Sequence, residues 1–215
     1  MGFSPVIWNN MEEEGMLGFK TRKEPTSAGD LGLLALRLTA GGLMTGHGAQ
    51  KLFGAFGGFG VEGTAGWLGS MGLKPPKLWA YMAGGSELGS GVSLLTGFFT
   101  PVGAVSVFGP MIMAWNKAHA GKPIWITTGG AELILMYMGA AATLALTGPG
   151  RFSLDEALGI EVPTWVTGLT VAGVAAGVVV GIMAQPEAPQ EVVDAAAAEV
   201  QSQGQSDEIA TELGA

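Results

Sequence analysis

Residues 31–54, LGLLALRLTAGGLMTGHGAQKLFG, are apolar enough for a membrane helix and yet enclose a charge, Arg37. The run ends in a polar cluster, His47-Gly48-Ala49-Gln50-Lys51. A charged side chain at bilayer depth costs between ~3 and ~15 kcal/mol, depending on the scale. It therefore requires a partner. Two carboxylates stand in equally apolar surroundings further along, Glu87 and Glu132. The chain is accordingly read as an all-α integral-membrane helix bundle built around these three charges and the polar end of the first helix.

Composition supports that reading. Of 215 residues, 48% are hydrophobic and only 13% charged, against roughly 25% charged in soluble domains. The 37 glycines follow no collagen or linker pattern; small residues of this kind let membrane helices approach closely. The net charge of −8 is concentrated in the tail. Glu187, Glu191, Asp194, Glu199, Asp207, Glu208 and Glu212 occur there without a Lys or Arg, which leaves the remaining chain near neutral. No basic patch suits a nucleic acid. The chain has no Cys, which excludes cysteine-ligated metal clusters, covalent c-type haem and disulfide chemistry within it.

Residues 1–29 form a polar segment with no cleavable signal pattern, since Lys20, Arg22 and Lys23 come late. Five spans are expected, at about 31–45, 78–99, 102–115, 126–146 and 165–184. A span of ~20 residues crosses a ~30 Å core. Pro110 should kink the third. Between the first two lies a Gly-rich stretch in which residues 58–63 fit G-x-G-x-x-G. It is no nucleotide site, because no strand precedes it and no βαβ unit surrounds it. With Trp67, Leu68, Met71 and Leu73 it reads as an interfacial or re-entrant piece; the plain alternative is a solvent loop. Residues 185–215 read as a mobile acidic tail.

Chain reversals gather polar groups at one face. The ends of spans one and three meet the starts of spans two and four, which puts His47, Gln50 and Lys51 beside Asn116, Lys117, His119 and Glu132. Arg37 lies roughly 15 Å deeper than His47, and Glu87 roughly 14 Å deep from the same face. A buried Arg37–Glu87 ion pair is therefore expected, either as a structural clamp or as part of a proton or substrate path. His47, Lys51 and Glu132 are the candidate acid–base groups; His47 as a backbone-bonded helix cap is the plain alternative. His47 and His119 together are a formal haem pair, but nothing else supports haem, and no metal site is expected. Trp67, Trp79, Trp115, Trp125 and Trp165 sit at span ends, as in an interfacial belt. Gly173, Gly177 and Gly181 form a GxxxG face in the fifth span, suited to close helix packing.

The run Arg37…Gly46-His47-Gly48-x-x-Lys51-Leu52-Phe53-Gly54, with Phe56-Gly57-Gly58-x-Gly60 behind it, resembles the DoxX family of small bacterial and archaeal membrane proteins. So do Glu87-Leu88-Gly89 with Gly91, and Gly148-Pro149-Gly150-Arg151-Phe152-Ser153-Leu154-Asp155. The resemblance covers about residues 30–156 and implies a four-helix transmembrane bundle. It is similar to the DoxD-type large subunit of thiosulfate:quinone oxidoreductase. The fifth helix, at 157–184, and the tail lie outside that common core.

Two functions follow. In one, the chain is a membrane subunit of a redox complex that binds quinone through His47, Gln50, Asn116 and His119, with electrons delivered by a partner subunit. In the other, it is a non-catalytic accessory subunit that meets other proteins through its fifth helix and acidic tail. Either way it sits in the lipid bilayer, multi-pass, in the inner membrane. The basic group before the first span favours a cytoplasmic N-terminus.

Overall fold

The computed structural model describes residues 27–184. The expected polar N-terminal segment, up to residue 26, and the acidic tail lie outside them. Every regular element among the described residues is helical: α1 (Ala28–Phe53), α2 (Gly60–Ser70), α3 (Pro76–Thr96), α4 (Thr100–Ala114), α5 (Glu132–Thr147), α6 (Leu154–Leu158) and α7 (Thr164–Met183).

Local chemistry sets the ends. Ser27 and Asp30 form a capping box at the start of α1, and Gly54 at φ 69° closes it. Pro76 opens α3 as a first-turn proline, and Gly97 at φ 68° ends it. The start of α4 is capped from far away in sequence. Asp155 accepts from the Phe99 and Thr100 backbone N–H groups at 2.7 and 2.9 Å.

Helices α1, α3, α4 and α5 share one apolar core, in which Met44, Leu94, Val107, Ala141 and Leu144 are sealed from solvent. Helices α1 and α3 run against each other almost backbone to backbone. A Cβ on Gly48 would overlap the Leu88 backbone, and one on Gly91 the Thr45 backbone. Gly48→Leu is therefore expected to separate the two helices and abolish most monodisperse protein after detergent extraction. Overpacking costs typically about 1–3 kcal/mol where side chains can yield, and here backbone blocks the space. Parental elution of the variant would show that this contact is loose.

Several expectations shift. The first helix runs on through His47 and Lys51 to Phe53 instead of stopping near Thr45, because no capping geometry occurs before Gly54. The Gly-rich stretch is no solvent loop. It folds into α2, which packs on α1 and α3 and buries Ala65 and Leu68. Its 11 residues make it roughly 16 Å long, too short to cross a bilayer. The fourth span starts at Glu132, six residues later than expected. Ile126–Thr128 instead make a 3-10 turn that ends at Gly129, φ 75°.

Helix α7 packs along α4. Among the described residues it is the helix long and apolar enough to cross a membrane by length and composition; α5 is apolar but has only 16 residues. Helices α1 and α3 have the length, with 26 and 21 residues, but carry Arg37, Lys51 and Glu87.

Candidate functional site

The close approach of α1 and α3 decides which charges meet. Gly48 lies against Leu88, and Gly41 against Leu95. Three residues beyond Gly48, Lys51 therefore comes level with the middle of α3, and its Nζ meets Glu87 Oε2 at 2.5 Å. The carboxylate is buried, with 6% of its side chain exposed, whereas the lysine side chain keeps 25%.

The same register removes Arg37 from Glu87. Arg37 precedes Gly41 by four residues, so it lies past Leu95, beside Gly97, where an added Cβ would come within 2.5 Å of Nη1. The expected Arg37–Glu87 pair is thus not formed. It followed from ending the first helix near Thr45, eight residues, about two turns, short of Phe53. Arg37 is 1% exposed and donates to the Pro149 and Phe152 carbonyls at 2.8 and 2.6 Å. It ties the loop after α5 to α1, with the α3–α4 turn packed beside it at Gly97. Ser153 packs at the same place, and the Arg151 N–H donates to Asp30.

Around the Lys51–Glu87 pair the space is divided. A cleft of about 450 Å³ is lined by Gln50, Lys51, Phe59, Thr64 and Trp67 among others. A smaller cavity of about 120 Å³ lies on the other side, with Lys51, Glu87 and Lys117 set among Trp67, Leu73 and Met113. Lys117 Nζ also donates to the Ala184 carbonyl.

His47 stands edge-on to Tyr137, with centroids 5.9 Å apart and planes at 78°. Tyr137 is 6% exposed, and its hydroxyl has no hydrogen-bond partner. Tyr137 is not among the residues expected from the sequence. Its signal was a phenol in mid-helix, away from the span ends where an interfacial belt explains aromatic residues.

The remaining expected residues serve a different segment. His119 Nδ1 lies 2.7 Å from the Gly129 carbonyl, and Glu132 Oε2 accepts from the Ile126 N–H at 2.9 Å. The first closes the 115–131 connection on itself, and the second ties it to the start of α5. Asn116 is exposed on the π-helical turn after α4. The structure therefore divides the expected set. Lys51 pairs with Glu87, Gln50 lines the cleft beside Lys51 and His47 faces Tyr137, while His119 and Glu132 fasten a loop. Among the described residues no three His, Cys, Asp or Glu side chains gather to hold a metal ion.

Residues 32–120 match the family model described as DoxX. The matched stretch contains His47, Gln50, Lys51 and Glu87 and ends before Glu132, Tyr137 and the Gly148–Asp155 motif. No curated protein and no solved structure matches the chain.

Proposed function

The chain belongs to the DoxX family through residues 32–120, a membrane-associated family often linked to redox and quinone-related complexes, and from that premise we propose that it is the quinone-binding membrane subunit of a redox complex. The observation that carries the proposal is the Lys51–Glu87 pair, buried between a cleft and a cavity whose other walls are largely apolar. Ligand sites are mostly apolar pockets of roughly 300–1,000 Å³ with a few polar groups.

Reduction of a quinone to a quinol takes two electrons and two protons. In this reading a redox partner protein supplies the electrons. Lys51 donates to a quinone carbonyl, and Glu87 exchanges the proton with it. Gln50 and Thr64 line the way to water. His47, one turn before Lys51 on α1, stands edge-on to Tyr137 of α5.

The chain would thread the inner membrane several times, with its N-terminus in the cytoplasm. Exposed Leu38, Leu43, Val92, Met136 and Leu146 on α1, α3 and α5 support contact with lipid. Helix α7 lies outside the matched family segment and leaves Trp165, Leu169, Val180 and Met183 exposed. That face favours a second role, docking on a partner subunit's helix.

Photolabelling with a tail-less azidoquinone tests the site. Crosslinks are expected on peptides carrying Lys51 or Trp67, competed by unlabelled quinone. Crosslinks confined to other regions would remove the site from Lys51 and Glu87.

A further inference from the structure

Helix α7 was expected to pack through three glycines, but only one of them does so. A Cβ on Gly181 would strike Met113 and Trp79, whereas Gly173 and Gly177 have nothing within 4 Å. Those two open positions face a groove of about 220 Å³ between α3, α4 and α7, with Met82 and Val174 among its walls. Its surface is almost entirely apolar.

The groove does not stand apart from the candidate site. Leu68, Leu73, Ala83, Pro110 and Met113 line both the groove and the 120 Å³ cavity that holds Lys51, Glu87 and Lys117. Lys51 and Trp67 in turn line both that cavity and the outer cleft. The three spaces thus adjoin in order of polarity: an apolar groove, the cavity at the ion pair, then the outer cleft. Pro110 lies at the junction. Within α4 it has no N–H to donate to the preceding turn.

A ligand complementary to this path has a compact polar head and one long apolar chain. Resting on the quinone reading above, we infer that the α3–α4–α7 groove seats the isoprenoid tail of the quinone. The head then reaches the Lys51–Glu87 pair sideways from the lipid, and the outer cleft serves water and protons. A phospholipid fits the path less well, because it brings two chains to a groove of about 220 Å³.

Gly177→Leu tests the inference, since the added side chain enters open space and fills the groove. The full chain is used in lipid nanodiscs, with a long-tailed quinone and a tail-less quinone as ligands. The dissociation constant for the long-tailed quinone is expected to rise about tenfold or more, as several apolar chain contacts are lost. That for the tail-less quinone should stay within about twofold of the parent, since the head contacts are untouched. Unchanged affinity for both in the variant would overturn the tail seat and leave the quinone site standing. An equal loss of both would also overturn it. Failure of the unmodified protein to bind either quinone would instead remove the quinone reading, and the inference with it.

A second measurement on the unmodified protein does not depend on how the variant folds. A quinone with a diazirine at the tail should crosslink to Val174, Met82 or their neighbours. A phospholipid with a diazirine on one acyl chain should label them much less. Equal labelling by the phospholipid would make the groove an ordinary lipid contact and sink the inference.

Discussion

Arg37→Leu should remove most of the folded, monodisperse protein, and adding Glu87→Leu should not bring it back. The guanidinium is buried and serves two carbonyls, those of Pro149 and Phe152, more than 110 residues away in sequence. Removing it strands both acceptors. A partly buried group left without its partner costs about 1–3 kcal/mol, so two such losses approach the ~5–15 kcal/mol that holds a typical domain together. Lysine should rescue only in part. A single ammonium lacks the planar fork that meets two acceptors at once. Asp155→Asn should weaken the same end of the protein by a smaller amount, because the amide keeps one acceptor oxygen and only one of the Phe99 and Thr100 N–H groups loses its partner. Extraction yield and thermal unfolding in detergent, read side by side for the single and double variants, decide the matter. Recovery of Arg37→Leu by Glu87→Leu would reinstate the pair that the structure does not form.

The difference between Arg37 as expected and Arg37 as found shows what this sequence encodes openly. A charge inside an apolar run announces that it has a partner, and the partner was sought among carboxylates. Backbone carbonyls serve equally well, and nothing in a sequence marks which carbonyl will be free. The Gly148–Asp155 motif was visible as a pattern, yet its role depends on Asp155 reaching the start of α4, a contact that no local rule gives. Lys51 and Glu87 were each singled out, but matching them required the offset between α1 and α3. That offset is set by where glycines let the backbones touch. Gly48 and Gly91 could be read as close-packing residues; which residue each would face could not. Glu132 shows the opposite failure. Its place at the start of an apolar helix suggested chemistry, whereas Gly129 breaks the helix before it and its carboxylate holds the Ile126 N–H. Helix existence, the all-helical class and the family resemblance were legible because they rest on apolar runs, proline and glycine punctuation, and short ordered motifs.

The Lys51–Glu87 pair allows stability and function to be separated. Lys51→Met leaves a buried carboxylate uncompensated, and breaking such a pair costs about 3–5 kcal/mol. Glu87→Leu should cost less, because the lysine side chain is a quarter exposed at the cleft and can turn its ammonium to water. The two single variants should therefore differ, with Lys51→Met the less stable. The double variant Lys51→Met/Glu87→Leu should regain most of the parental stability, since exchanging a buried pair for apolar side chains is often neutral. It should nonetheless lose quinone affinity by about 10-fold or more, the equivalent of one or two good polar contacts. A stable double variant that binds the tail-less quinone as the parent does would reduce the pair to a structural tie between α1 and α3, and the quinone site would have to be sought elsewhere. Equal losses in the two singles would show that the burial difference does not govern the energetics. A stable, non-binding double variant beside an unstable Lys51→Met is the pattern expected of a functional charge pair that the fold itself does not require.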